Sequence, residues 1–548
     1  MQRVGGEPPM SVNLPVQSTG ALPTVRRLVL YILLFTLVTL AAVGAAGLLG
    51  LLFTSGSGDD PGRTDNLARS LAFVIIAGPL ALLLWRSLAK RLLDSFESAA
   101  LAWGLYVAAM YSTSLVVAST GLFSLLGKLL SAHTQGWAQD LSTALIWAAV
   151  CWWHHQMWSD PRRSPRSLPN LPGILASWYA VILVATATVS ALVMVFSATM
   201  DSIFNNFSAG SPWWRGALAQ LPWIVGGFAL WWWHWTRKHI AKVHGGFADV
   251  ALVLLGVLAA GAAALGGTGY LLYALGRSAV HGTDAQSLSP VPLSLGAALV
   301  GALIFSLAWQ ELGSRSVETT SAGRLVSAGL GLASMASGFG VCINALLAAL
   351  TPPLAGDRGI DLLLAGLIWL VLGSLVWVWA WRPHKPADPR GRRVYLVAVF
   401  GASAVVALIA LLFAGFRIFT FFLEPGTVAS GLLDSVRAPI GLLTATLLVA
   451  IYHFEVWRSD RTLIEAAEPA SSGTIESIIL VAGEDSPEIS RALGSMTGAK
   501  IQVLVRAGEG YQASADDLTA ALDAAETQSP RIMLLVEGAG SVRVIDLA

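Results

Sequence analysis

Residues 28–53 read LVLYILLFTLVTLAAVGAAGLLGLLF, with Arg26 and Arg27 immediately before them. A charge-free run of this length exceeds the roughly 20 residues that cross about 30 Å of hydrocarbon. It is also longer than the core of a cleaved leader, about 7–15 residues, so it is expected to remain as a first spanning helix. Val250–Leu275 is a second run of the same kind. Apolar residues make up 55% of the chain and charged residues 12%. A soluble core cannot absorb that balance in uninterrupted runs, whereas a bilayer can.

A phrase recurs along the chain. An apolar segment, a short loop and a second apolar segment close on aromatic residues: Leu84-Trp85-Arg86, Trp152-Trp153-His154-His155, Trp232-Trp233-His234-Trp235, Ala308-Trp309-Gln310, Val378-Trp379-Ala380-Trp381 and Ile451-Tyr452-His453-Phe454. The interval is roughly 70–80 residues, which reads as tandem structural units. Spans are expected near 27–53, 67–93, 98–127, 139–158, 173–200, 214–236, 247–276, 292–313, 322–350, 360–381, 394–423 and 428–457. Lipid leaves no partner for unpaired backbone groups, so these spans are helices. The expected fold class is an all-α polytopic membrane protein, with about twelve transmembrane helices as six tandem two-helix repeats. A small C-terminal soluble α/β domain follows.

The domain reading is a disordered N-terminus over 1–24, then a transmembrane region over 25–460 in three four-helix blocks (25–165, 170–316 and 320–460). A linker over 461–473 leads to an α/β domain over 474–548. Within that domain Ile475–Val481 and Lys500–Val505 read as strands, Ser514–Thr527 as a helix, and Ile532–Val536 with Val542–Ile545 as a hairpin. A further helix opens at Ser486-Pro487-Glu488, a capping residue with proline at the first helical position. Gly483-Glu484-Asp485-Ser486 lacks the glycines of a phosphate loop, and its acids would repel the anion.

Basic residues set the orientation. Arg26, Arg27, Arg86, Lys90, Arg91, Arg162, Arg163, Arg166, Arg237, Lys238, Lys242, Arg315, Arg324, Arg392, Arg393 and Arg458 fall on one side. The opposite loops hold few, among them Arg63, Lys128, Arg277 and Arg358. Such an excess places both termini in the cytoplasm. The tryptophans beside that basic rim read as an interfacial belt.

Chemistry-bearing residues are sparse. Cys151 and Cys342 lie in apolar segments and read as small buried hydrophobes. His154, His234 and His453 occupy equivalent places in the repeat and are the candidates for an axial haem or pigment ligand. The other three units have Arg86, Gln310 and Ala380 there. His155 and His239 read as solvated. Gly256, Gly261, Gly267, Gly331 and Gly338 let helices approach closely, which places the seventh and ninth spans centrally. Pro79, Pro222 and Pro439 should bend their helices. Asn344 reads as an interhelical hydrogen-bonding amide. Asp434 and Arg437 can pair at i, i+3, and Arg417 with Glu424 could join them in one charged cluster, structural or serving as a coupling site.

The entry Arg26-Arg27-Leu28 with Tyr31, echoed by Arg392-Arg393-Val394-Tyr395, leads to an apolar helix ending in Trp-x-x-Trp or Trp-His. This pattern resembles the bacterial membrane repeat known as domain of unknown function 5671, over roughly residues 25–460. The resemblance implies a bacterial inner-membrane location and carries no activity or functional residue. The expected function is a non-enzymatic scaffold or sensor whose cytoplasmic tail, 474–548, binds a protein partner. The alternatives are a transporter or permease for a small or apolar solute, and a haem- or pigment-binding subunit. The expected partners are membrane lipids and that protein. No nucleic acid, cofactor or metal is expected, and the oligomeric state is left open.

Overall fold

The computed structural model describes residues 21–54, 62–92, 95–204, 212–350, 359–381, 389–423, 431–467, 475–482, 490, 493–494, 497, 499–506, 513–525, 529–538 and 541–547. Residues 1–20, Arg358, Glu424, residues 468–473 of the proposed linker and the turn and helix start at 483–489 lie outside them, while residues 461–467 of that linker continue the preceding helix. The chain forms two compact units, Met1–Leu447 and Leu448–Ala548, and their boundary falls within the last long helix.

The first unit is helical. Its helices are α1 (Ala21–Phe53), α2 (Arg63–Arg91), α3 (Leu101–Leu130), α4 (Trp137–Ser159), α5 (Leu171–Ile203), α6 (Trp213–Trp232), α7 (Gly246–His281), α8 (Val291–Leu312), α9 (Val317–Ala348), α10 (Gly359–Trp381), α11 (Pro389–Leu423) and α12 (Leu432–Ala467), the last running on into the second unit. Ten of them are long and apolar enough to cross a membrane by length and composition. The two that fall short, α4 and α6, carry Asp140, Gln139 and Gln156 or Arg215 and Gln220 among their tryptophans. Leu83, Val225, Leu412 and Phe419 are more than half exposed, an exterior suited to hydrocarbon rather than water.

Local wide turns mark several helices. A π segment over Phe73–Ala77 precedes Pro79 in α2, another covers Leu252–Ala259 in α7, and a third, Trp233–Arg237, extends α6. A wide turn before a proline accommodates the carbonyl that has lost its N–H partner. Gly136 (φ 76°) before α4 and Gly282 (φ 98°) after α7 take backbone conformations that disfavour other residues.

Sequential helices pack as hairpins: α1 with α2, α3 with α4, α5 with α6, α7 with α8, and α9 with α10. Longer connections recur. Helix α1 packs on α4, and α5 on α8; α9 meets α12 where a methyl on Gly340 would lie 3.0 Å from the Gly441 carbonyl. Likewise α3 packs on α6, and α7 on α10.

A close approach joins α9 and α10. Gly331 and Gly338 on α9 face Gly373 and Gly366 on α10, and their backbones touch. A Cβ on Gly331 would sit 2.5 Å from the Trp377 nitrogen, and one on Gly366 would sit 2.7 Å from Cys342 Sγ. Without hydrophobic driving force in lipid, association depends on such contact.

The second unit contains a four-stranded sheet of order β2-β1-β3-β4, built from β1 (Ser477–Ala482), β2 (Lys500–Val505), β3 (Arg531–Gly538) and β4 (Ser541–Leu547). Strand β1 is parallel to β2 and β3, and β3 turns back antiparallel into β4 with an irregularity between Val536 and Gly538. Helix α13 (Ala515–Ala524) starts with a capping box between Ser514 and Asp517. Period-two alternation buries Ile478, Leu480, Ile532, Leu534 and Val536 on one face against Leu493 and Leu518.

Candidate functional site: a tyrosine–histidine spine on one helix

Helix α3 carries Tyr106 and Tyr111, and each hydroxyl meets a histidine from a different helix. Tyr106 Oη lies 3.1 Å from His154 Nε2 on α4. Tyr111 Oη lies 2.8 Å from His234 Nε2, in the π turn that extends α6. Both histidines are buried. The other ring nitrogen is fixed as well: Nδ1 lies 2.8 Å from the Val150 carbonyl in His154 and 2.7 Å from the Leu230 carbonyl in His234. A carbonyl only accepts, so Nδ1 carries the proton. The neutral ring then offers Nε2 as acceptor for the tyrosine O–H. His453 repeats the backbone half of this arrangement, with Nδ1 2.8 Å from the Val449 carbonyl.

The geometry therefore gives the recurring histidine a helix-internal role, a side chain folded back on the carbonyl four residues earlier. In His154 and His234 no ring nitrogen is left to ligate iron without breaking a tyrosine bond. Replacing Tyr111 with phenylalanine is expected to leave His234 Nε2 buried without a donor. The loss of about 1 kcal/mol of stability should appear as a lower unfolding midpoint in detergent, and a midpoint equal to wild type would rule out the bond.

Around Tyr106 the rings close into one cluster. Tyr31, Trp103 and Tyr106 lie with centroids 5.5 Å apart pairwise, Trp85 is 5.2 Å from Trp153, and Trp153 is 4.9 Å from His154. Trp103 is fully buried and its indole N–H donates to the Arg163 carbonyl at 2.8 Å. Trp152, by contrast, is 65% exposed. Trp152, in one of the recurring closing phrases, thus has the exposure of an interfacial tryptophan, while Trp103, outside those phrases, is a core residue.

This ring cluster is drawn from α1, α2, α3 and α4, where the family signal also falls. Residues 27–153 match the model of a family described as Domain of unknown function (DUF5671). The DUF5671 match spans Tyr31, Trp85, Trp103, Tyr106 and Trp153, and stops one residue before His154. Neither a curated protein nor a solved structure matches the chain.

Beside the DUF5671 region, His155 departs from expectation. Its Nε2 is buried and lacks a hydrogen-bond partner among the described residues, and its ring lies between Tyr111 and Trp158, 6.1 Å from each. Lys238 reaches the same place. Its ammonium lies 4.9 Å from the Trp158 ring centre and donates to Ser159 Oγ at 3.1 Å, and partial burial lowers its pKa. His155 is therefore packed by aromatics rather than solvated.

The other predicted site residues separate. Asp434 and Arg437 do pair, at 3.0 Å. Arg417 lies instead over the ring of Phe413 on its own helix, 5.0 Å from the centre, and has no ion pair among the described residues. Asn344 sits one turn from the Gly340–Gly441 crossing and its Oδ1 is buried without a partner among the described residues. Arg437 is one turn from the same crossing on α12, so one helix pair carries Asn344 and the Asp434–Arg437 pair, while Arg417 stands apart.

A cavity of about 420 Å³ opens between α7, α8, α9 and α10, lined by Gly261, Leu265, Phe305, Leu330, Leu375 and Trp379. Its two hydroxyls, Thr268 and Ser327, donate to their own helices at Ala264 and Gly323. None of Asn344, Asp434 and Arg437 lines it. Among the described residues, no group of three or more His, Cys, Asp and Glu is placed to hold a metal.

One charged cluster is absent from any sequence expectation. Arg315, between α8 and α9, is buried to 3% side-chain exposure and donates to Asp249 Oδ1 at 3.2 Å, to Glu311 Oε1 at 2.7 Å and to the Val243 carbonyl. Thr319 Oγ1 closes the network on Asp249 Oδ2 at 2.6 Å. Arg315 was counted above in the basic rim, yet it belongs to a buried ion pair.

Proposed function

We propose that this chain is a bacterial inner-membrane protein with both termini in the cytoplasm, acting as a non-enzymatic scaffold or sensor whose tail binds a protein partner. In this reading twelve helices span the membrane as three four-helix blocks. The recurring contact between first and fourth helix of each block supports that division, and the basic residues of one set of loops support the orientation.

The observation that carries the tail's role is the second face of its sheet. Ile479, Val481, Leu504, Met533 and Leu535 share that face through the strand registers, and Leu504 is 46% exposed. Apolar surface presented on a sheet beside an edge strand suits partner binding. The test is chemical cross-linking in native membranes with the full-length chain. One stoichiometric partner is expected with wild type, and at least a tenfold lower yield with Leu504→Lys. An unchanged yield from the variant rejects the role of this face.

The 420 Å³ cavity favours a second reading, a permease for a small apolar solute. Solute flux into proteoliposomes, blocked by Ala264→Phe within the cavity, distinguishes it from the scaffold. The scarcity of charge inside the helices supports passive handling rather than ion coupling.

A further inference from the structure

Where α1 begins and α2 ends, a cavity of about 390 Å³ is lined by Arg26, Arg27, Arg91, Glu97, Tyr31 and two leucines. Its charges do not cancel. Arg27 is committed: Nε and Nη2 both donate to Glu97 Oε1, at 3.1 and 2.9 Å, and the guanidinium lies 4.9 Å from the centre of the Phe96 ring. Arg26 and Arg91 are exposed and have no ion pair among the described residues. Among the described residues, three guanidinium groups less one carboxylate leave two positive charges around one hollow.

The rest of the lining is apolar. Leu88 and Tyr31 are buried, and they belong to the core of the first helical block with Leu34 and Trp103. Leu30 continues the apolar wall one turn above Arg26 and Arg27. The hollow therefore has a cationic mouth and a hydrocarbon floor at a helix end, where a spanning helix meets the headgroup layer. A free phosphate ion would use the charge and leave the floor empty. An amphiphile uses both.

We infer that the Arg26–Arg27–Arg91 hollow is a binding site for the phosphodiester headgroup of an anionic phospholipid. Arg26 and Arg91 take the phosphate oxygens, Arg27 is held ready by Glu97, and Leu30 and Leu88 receive the glycerol end of the acyl chains. Basic pockets between spanning helices recognise anionic headgroups by this combination, and arginine suits it through its planar set of donors. The inference is independent of the tail's role and of which side of the membrane this end faces.

The experiment is native mass spectrometry of the full-length protein in detergent, titrated with phosphatidylglycerol, phosphatidylcholine or inorganic phosphate. One phosphatidylglycerol is expected to bind with clear preference over phosphatidylcholine. At about 1 kcal/mol per basic residue at a membrane surface, the exposed pair R26Q/R91Q should weaken it by roughly 30-fold. R26K/R91K keeps the charge and should retain most of the binding, and R393Q, an exposed arginine elsewhere, should retain all of it. Equal binding of phosphatidylcholine, or full binding to R26Q/R91Q, overturns the site. Displacement of the lipid by equimolar inorganic phosphate overturns the lipid assignment, because the apolar floor would then contribute nothing.

Discussion

Gly338→Leu is expected to be a strongly damaging single substitution in the helical unit. A Cβ there would collide with the Leu370 nitrogen and lie 2.7 Å from both the Gly366 carbonyl oxygen and the Trp369 carbonyl carbon. All three are backbone atoms of α10, so no side chain can rotate away and the helices must separate. Separation also opens the Gly331–Gly373 contact, since the two glycine pairs are seven residues apart on each helix and share one seam. Overpacking of a tight contact costs about 1–3 kcal/mol, and the loss of a second contact in the same seam places this variant at the upper end. Gly401→Leu is the control, because a Cβ at Gly401 meets nothing within 4 Å. Unfolding midpoints in a mild detergent should fall markedly for Gly338→Leu and stay near wild type for Gly401→Leu. Equal midpoints would mean that the seam does not hold α9 to α10.

Small residues in the ninth span announced this seam, but its register did not follow from them. Gly329 and Gly331 look alike in sequence. In the fold Gly331 lies against the Trp377 nitrogen, whereas Gly329 meets only the Tyr395 ring at 3.6 Å. Rotation about a helix axis is set by neighbours that a single segment does not contain. The same limit hid the histidine partners. His154, His234 and His453 were visible as a repeated element, yet Tyr106 and Tyr111 are 48 and 123 residues from the histidines they meet. One signal was available: a phenol inside a spanning helix needs a polar partner when buried, and α3 carries two. The strands of the tail were more legible, because alternation of period two is local and β1 and β3 both show it.

Span counting met a different obstacle. Helices α4 and α6 form at the expected places but are less apolar than the other ten. Some residues of α4 face protein, since Trp147 and Ser142 are buried, whereas Trp213, Trp214 and Trp232 of α6 are exposed. A span surrounded by neighbours needs less hydrocarbon character than one facing lipid. Gln139 of α4 is exposed, whereas Asp140 is partly buried. Asp140 is itself paired, with Lys128 at 2.6 Å and with the Ser124 hydroxyl at 2.9 Å.

Arg315→Met should cost at least as much as the glycine substitution, by a different route. Methionine fills part of the arginine volume but leaves Asp249 with only Thr319 as a hydrogen-bond donor among the contacts described. Removing one partner of a buried ion pair costs about 3–5 kcal/mol, because the remaining charge stays out of water. The decisive comparison is the double variant Arg315→Met with Asp249→Asn, in which no charge is stranded. It should recover more than half of the lost stability, whereas Glu311→Gln alone should cost little, since Glu311 is 30% exposed and can be hydrated. Arg315→Lys should fall between, because a single ammonium cannot serve Asp249, Glu311 and the Val243 carbonyl with the arginine fork's geometry. A double variant as unstable as Arg315→Met would show that packing, rather than the stranded aspartate, sets the loss. The network joins Val243 before α7, the first turn of α7, the end of α8 and the start of α9, so its failure should loosen these connections together and lower the midpoint in a single transition.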